Sequence, residues 1–237
     1  MSVTIQFNKN LAPNEGPLIV MVSGGIDSLA CAHFLWRANP RISIFHFNHK
    51  LRPQNDVMEK RVRDFAEGFG LACHIRRRGK GRILNSEDEC RTARYAALDK
   101  VCNGIIDDAV NRDLLIPRRV ICCQHLDDCV ESYLMNCFNG KPDYCPIPVM
   151  TARFACTVYR PFLLTRKKDL EEYIGHYNLD GFIEEDETNE DFNIRRNFVR
   201  HEVRPLIETR WVGLEKVVKK KILSEYDKVK RSTVVYE

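Results

Sequence analysis

The stretch Leu18-Ile-Val-Met-Val-Ser-Gly-Gly-Ile-Asp-Ser28 constrains this chain more than any other. An apolar run ends in a Ser-Gly-Gly turn, and an apolar-periodic segment, Ile26 to Ala38, follows at once. That order reads as strand, tight turn, helix. Gly24 and Gly25 can take backbone angles that other residues avoid, so successive N–H groups can point into one concavity. The N-terminus of the next helix faces the same place and favours an anion. Ser23, Gly24, Gly25, Ile26, Asp27 and Ser28 therefore read as a pyrophosphate-binding loop. The plainer reading is a Gly-Gly turn with Asp27 or Ser23 capping the helix. A Walker A loop is excluded because the chain has no G-x-x-x-x-G-K-[ST], and a Rossmann G-x-G-x-x-G does not follow this strand.

With 237 residues the chain can bury a full core. There is no apolar run long enough for a bilayer and no signal-peptide pattern, so the expectation is a cytoplasmic protein without a membrane partner. The net charge of +4 permits a nucleic-acid partner without demanding one, so clustering matters more than the total. None of the ten cysteines has C-x-x-C spacing, which argues against a zinc ribbon or compact iron–sulfur site. Several lie in apolar stretches, as buried reduced thiols do.

Strands and helices alternate after an irregular lead-in. Strands are expected at Ile42–Phe47, Leu71–Ile75 and Arg119–Cys123. Helices are expected at Pro53–Gly70, Asn85–Val101 and Asp127–Phe138. Alternation of this kind implies an α/β fold, a doubly wound and mostly parallel sheet with helices on both faces. Ser23, His49 and His125 all follow strand ends, where such sheets bind ligands. The alternation ends near Gly140, followed by a proline-broken loop, Lys141 to Pro148. Thr165–Tyr177 reads as a helix, Glu184–Asp191 as an acidic segment, Arg195–Glu208 as a helix up to Pro205, and Trp211–Glu237 as one basic helix. The expected division is an ATP-binding α/β domain (1–140), a mostly helical remainder of the catalytic region (141–208) and a basic C-terminal segment (209–237).

Three further stretches carry chemistry. His125-Leu-Asp-Asp-Cys-Val-Glu131 sits at a strand-to-helix junction, with Asp127, Asp128 and Glu131 close on one helix face. Clustered like charges cost energy unless a cation joins them. That cation would be Mg²⁺ near a triphosphate, or a substrate ammonium; a helix start with favourable acidic residues is the plainer account. Arg91 and Arg94, three apart on a helix, can stabilise charge on a phosphoryl group, or belong to a solvated face with Glu87. Arg196, Asn197 and Arg200 share one side of a helix delivered by the acidic segment, or form an ion-paired surface.

Five blocks in order make a resemblance to the tRNA(Ile)-lysidine synthetase family of the PP-loop ATP pyrophosphatase superfamily. They are Ser23-Gly-Gly-Ile-Asp-Ser28; Asn48-His-Lys-Leu-Arg-Pro53; Asn85-x-Glu-x-x-x-Arg91-x-x-Arg94-Tyr95; His125-x-Asp-Asp-x-x-Glu131; and Asp186-x-Thr-Asn-x-Asp191 with Arg196-Asn-x-x-Arg200. Arg160-Pro-Phe-Leu163 matches a sixth. The resemblance implies ATP and Mg²⁺ as cofactors, and an isoleucine tRNA with a CAU anticodon and free lysine as substrates. ATP would adenylate the C2 oxygen of the wobble cytidine, and the lysine ε-amine would then displace AMP. By motif, Ser23 to Ser28 would hold ATP, with Asp27 helping to place Mg²⁺. Arg91 and Arg94 would face phosphate or the activated base. Asp128 and Glu131 would bind lysine with His125 and Asp127 in support, and Arg196 and Arg200 would complete the site or touch tRNA. A homodimer is left open.

The chain departs from the family pattern at Gln124, where a second His is common, and after Asn139, where a Gly-rich loop is expected. The family's C-terminal tRNA-recognition domain is expected to be missing or reduced to one basic segment. His49, Arg52, Arg78, Lys80, Lys219 and Lys220 are the candidate tRNA contacts, the last four from the basic stretches Arg76–Arg82 and Trp211–Arg231. Two other readings stand beside this one: a PP-loop tRNA thiolase, and an ATP- or tRNA-binding protein without turnover.

Overall fold

The computed structural model describes residues 5–11, 17–79, 86–111, 119–184 and 194–233, without the side chains of 106–111 and 230–233. The first strand, β1 (Leu18–Met21), is buried along its whole length. Leu18 and Val20 pack in a cluster with Leu29, Phe65 and Leu170, whereas Ile19 and Met21 pack with Phe45, Leu98 and Val158. A strand covered on both faces needs a continuous apolar run, which is what this segment has. β1 leads into α1 (Ile26–Ala38), β2 (Ile42–Asn48), α2 (Gln54–Gly68), β3 (Ala72–Arg77), α3 (Glu87–Asn111), β4 (Arg119–Cys122) and α4 (Leu126–Phe138).

Two short strands follow, β5 (Met150–Ala152) and β6 (Thr157–Tyr159). The sheet order is β3-β2-β1-β4-β6-β5, parallel except for the edge strand β5. The chain winds outward from β1 through β2 and β3, then returns to place β4 on the other side of β1. Such a reversal opens a crevice at the carboxyl ends of the two central strands.

Several boundaries differ from the sequence expectation. The strand–helix alternation ends after α4, but β5 and β6, which follow with no helix between them, extend the sheet beyond it. Each is three residues long, too short for a period to register, yet Val158 is fully buried. Helix α3 runs ten residues past Val101, through Cys102-Asn-Gly104, since Gly104 keeps helical geometry there. β3 reaches Arg77, so Arg76 and Arg77 belong to an edge strand and not to a basic loop.

The remaining elements are α5 (Lys167–His176), α6 (Arg195–Phe198), a π-helical turn (Val199–Val203), α7 (Arg204–Glu208) and α8 (Leu214–Thr233). Pro205 does not end the helical run: residues 195–208 stay helical throughout, with Pro205 following the π turn. Helix α8 packs on α4 through Val218, Ile222 and Tyr226. The Tyr226 hydroxyl donates to the Arg160 carbonyl at 3.1 Å, so the basic C-terminal segment is tied into the core. All ten cysteines are free thiols. Among the described residues, no helix is long and apolar enough to cross a membrane.

Candidate active site

The turn after β1 is built around Ser28. Its hydroxyl donates to the Gly25 carbonyl at 3.0 Å and accepts the Ser23 N–H at 3.1 Å. Gly24 has φ +106°, and a Cβ there would meet the Met58 carbonyl oxygen at 3.3 Å. Only glycine fits both the angle and the space. The helix cap is Gly25 itself, with no side-chain capping bond, so neither Asp27 nor Ser23 caps α1. Ser23 is exposed at the mouth of the loop.

Asp27, in the first turn of α1, points across the crevice to His125. His125 precedes α4 and is almost fully buried. Its Nε2 is 3.3 Å from Asp27 Oδ2 and 3.7 Å from Asp128 Oδ2, and its Nδ1 is 3.6 Å from Asp127 Oδ2. Burial alone would depress this imidazole, but the Asp128, Asp127 and Asp27 carboxylates outweigh it and lift the pKa well above the usual value. The three carboxylates thus favour the charged form of His125. Burial would raise Asp27 in turn, but the hydrogen bond from His125 holds its carboxyl below the ordinary range. Asp27 Oδ1 is buried without a hydrogen-bond partner among the described residues. An orphaned carboxylate oxygen beside an anion-binding loop fits a hard cation such as Mg²⁺.

The other charges on α4 are met by arginines from the late helical run. Arg200 donates to both oxygens of Glu131, at 2.6 and 3.1 Å. Arg196 Nε is 3.5 Å from the same carboxylate, and its NH2 donates to the Ser132 hydroxyl. Arg204 donates to Asp127 Oδ1 at 2.6 Å, while the Lys167 N–H donates to Oδ2 at 2.7 Å. Residues 200 and 204 thus pair with 131 and 127, so the two helical segments run antiparallel and are joined charge to charge. An α-helix drifts by about 40° every four residues, and the π turn at 199–203 removes part of that drift by unwinding the helix. The arginines consequently stay on one stripe.

This corrects the expectation for the acidic cluster. Glu131 is 1% exposed and fully engaged by Arg200, so its carboxylate is not open to a substrate ammonium. Asp127 is likewise occupied. Asp128 accepts the His125 backbone N–H at 3.1 Å through Oδ2, and among the described residues no arginine or lysine pairs with it. Glu87 does not pair with Arg91 on its own helix but with Arg196 at 3.5 Å, which brings the start of α3 to α6. Arg91 and Arg94 lie against the Tyr95 ring, 5.5 and 5.7 Å from its centroid.

Asn48 ends β2 and donates to Glu59 at 3.0 Å and Asp56 at 2.8 Å. His49 and Arg52 follow in the loop after β2, and Arg78 donates to the Lys50 carbonyl of that loop at 3.1 Å. Arg77 is committed to Glu59, whose carboxyl it holds down at about 2. Lys219 is paired with Glu215 at 3.4 Å, which weakens its case as a phosphate contact, whereas Lys220 is exposed on α8. Lys80 and the acidic block from Glu185 to Asp191 lie outside the described residues.

Arg160 was legible only as part of a short Arg-Pro-Phe-Leu block. It is fully buried just after β6. Its Nε donates to Gln124 at 2.6 Å, NH1 to the Pro148 carbonyl and Thr151 hydroxyl, and NH2 to the Tyr95 hydroxyl at 3.5 Å. Gln124 is thus explained: its amide oxygen receives the Arg160 guanidinium.

Residues 2–207 match the PP-loop domain family. The chain is 30% identical over 215 residues to a tRNA(Ile)-lysidine synthase of Exiguobacterium sibiricum, covering 91% of this chain and 49% of that protein. It is 28% identical over 216 residues to the Photobacterium profundum tRNA(Ile)-lysidine synthase, covering 87% of this chain and 46% of the other. The chain therefore spans about half the length of the curated relatives it matches. Among solved structures, a U34-tRNA thiolase from Methanococcus maripaludis superposes with a TM-score of 0.65 at 13% identity, over 93% of this chain and 75% of that one, a likeness of fold. With its loop, its sheet reversal and this match, the chain belongs to the PP-loop domain family, and the curated proteins it is similar to are tRNA(Ile)-lysidine synthases.

Proposed function

We propose that this chain is an ATP-dependent tRNA-modifying ligase that makes lysidine at the wobble cytidine of an isoleucine tRNA with a CAU anticodon. The observation that carries the reading is the 3.3 Å contact between His125 and Asp27, which makes two motifs from distant parts of the sequence one site. Ser23 to Ser28 hold the ATP phosphates. Asp27 Oδ1 would hold Mg²⁺, which when bound neutralises charge on the phosphate oxygens. The C2 oxygen of the cytidine attacks the α-phosphorus, and pyrophosphate leaves. Arg91 and Arg94 stabilise the charge that builds on the phosphoryl group.

Lysine then attacks C2 through its ε-amine, and AMP departs with the C2 oxygen. The ammonium must first lose a proton. We assign Asp128 to orient it and to take that proton. Glu131 holds Arg200 in place, and His125, whose charged form the neighbouring carboxylates favour, sits between Asp27, Asp127 and Asp128. His49, Arg52 and Arg78 provide tRNA phosphate contacts at the same edge.

The test is incubation of the purified chain with ATP, Mg²⁺, radiolabelled lysine and the isoleucine tRNA, followed by counting label retained on the tRNA. Retained label that disappears in Asp128→Asn, with the circular dichroism spectrum unchanged, is the expected result. Pyrophosphate release without retained label would transfer the reading to another nucleophile, such as a sulfur donor. Near wild-type turnover in Asp128→Asn would remove that residue from the lysine subsite.

A further inference from the structure

Tyr95 sits at the centre of four guanidinium groups. Arg153 lies 4.6 Å from its ring centroid, with Arg91 and Arg94 at 5.5 and 5.7 Å, and Arg160 reaches its hydroxyl. A cavity of about 340 Å³ opens beside them between α3 and the β5–β6 edge, lined by Asp88, Arg91, Thr92, Tyr95, Thr151, Arg153 and Arg160. The acids at hand are Asp99, bound to Arg153 at 2.9 Å, and Asp88 in the lining. Three of these cations, Arg91, Arg153 and Arg160, line the cavity against two carboxylates, which leaves an excess of positive charge.

Arg160 sharpens the point. Its guanidinium is fully buried, and its hydrogen-bond partners are all neutral oxygens. Among the described residues no carboxylate pairs with Arg91 or Arg160 of the lining, and Arg153 alone has one, Asp99. A buried cation without counter-charge, here Arg160, is costly in an empty site, and an anion seated there offsets that cost. Planar guanidinium groups suit phosphate oxygens in particular.

The cavity is joined to the ATP loop by contacts. Arg160 bonds Gln124, Gln124 precedes His125, and His125 meets Asp27. We infer that this cavity is a second phosphate site, separate from the Ser23–Ser28 loop, and that it receives an RNA phosphodiester flanking the nucleotide being modified. The RNA half of this statement rests on the function proposed above; the phosphate half does not. Arg153 and Arg160 become positioning residues for the RNA strand, outside the ATP site.

The experiment uses the full chain with its loop saturated by α,β-methylene-ATP, into which inorganic phosphate is titrated calorimetrically. Arg153→Gln should weaken the additional phosphate site by roughly tenfold, the worth of one charge-assisted contact. Asp99→Asn releases Arg153 from its partner and should tighten the same site. A general loss of folding would weaken binding in both, so the opposite signs protect the test. Arg153→Lys should restore part of the affinity. Equal phosphate affinity in all four proteins would overturn the site.

The second arm measures binding of an anticodon stem-loop across a salt series. Arg153→Gln should lower RNA affinity and reduce the log–log salt slope by about 0.7, one single-strand phosphate contact, while leaving ATP affinity unchanged. A phosphate effect without an RNA effect would reassign the site to free phosphate and overturn its RNA role. Failure of lysine incorporation with both arms intact would remove the proposed reaction and leave the cavity standing.

Discussion

Replacing Glu131 by Gln tests whether the antiparallel charge seam holds the late helical run to α4. Glu131 is 1% exposed and Arg200 25% exposed, so the pair is screened far less than a surface bridge. Breaking a fully buried pair costs about 3–5 kcal/mol, because one charge is left without a partner. Arg200 retains some water contact and Gln keeps an acceptor oxygen, which places the expected loss nearer 2–3 kcal/mol. Arg200→Met should cost less, because Arg196 Nε at 3.5 Å still serves the carboxylate. Urea denaturation of both single variants and the double variant, followed by circular dichroism, gives the coupling directly. We expect about 1.5–3 kcal/mol, within the range for residues sharing one charge network. A parallel cycle on Asp127→Asn and Arg204→Met should give a coupling of similar size, since both side chains are under 20% exposed. Couplings below about 0.5 kcal/mol in both cycles, the level of exposed pairs, would refute the seam as a stabilising element.

Other outcomes follow from single contacts. His33 is buried 2.9 Å from the Tyr173 hydroxyl, and burial pushes its imidazole down to about 4. The neutral form favours the fold, so stability is lost as pH falls from 6.5 toward 4, by at most about 3 kcal/mol; His33→Gln should flatten that limb in denaturation at stepped pH. His125 has the opposite sign: its raised pKa contributes stability below about 6.5 that is lost as pH rises through the folded value. Gly24→Ala forces a side chain to φ +106° against Met58, costing about 1–3 kcal/mol and lowering ATP affinity in calorimetry. Tyr226→Phe removes the bond to the Arg160 carbonyl and should lower stability by about 1 kcal/mol, read by thermal melting.

The central strands, the loop between β1 and α1 and the helices α1, α2 and α4 were legible because each satisfies a local rule. β1 is an unbroken apolar run, and Val62, Phe65 and Ala66 recur at helical spacing on α2. β5 and β6 were not legible, since three-residue strands carry no period; β6 owes its place to pairing with β4, and β5 to pairing with β6. The site was legible as types and spacings, but not as partnerships. Nothing in the spacing of Asp127 and Glu131 announces that Arg204 and Arg200 will occupy them. The same holds for Arg160, whose role depends on Gln124, Thr151 and Tyr95 from three separate segments. Long-range pairing of charges follows the fold, and a local pattern cannot encode it.

The seam also imposes an order in time. Glu131 precedes its partner Arg200 by 69 residues, and Asp127 precedes Arg204 by 77. At synthesis rates of roughly 5–20 residues per second, α4 waits several seconds on the ribosome before its counter-charges exist. The nascent chain can form β1, β2 and β4 early, yet the acidic face beside the ATP loop stays uncompensated throughout that interval. Closing so long a loop adds little entropy cost beyond that of a loop half its length, so the delay is set by translation and not by the search. Charge balance at the carboxyl edge of the sheet is thereby linked to translation through residue 204, and a nascent chain stalled earlier carries a sheet whose acidic face lacks its counter-charges.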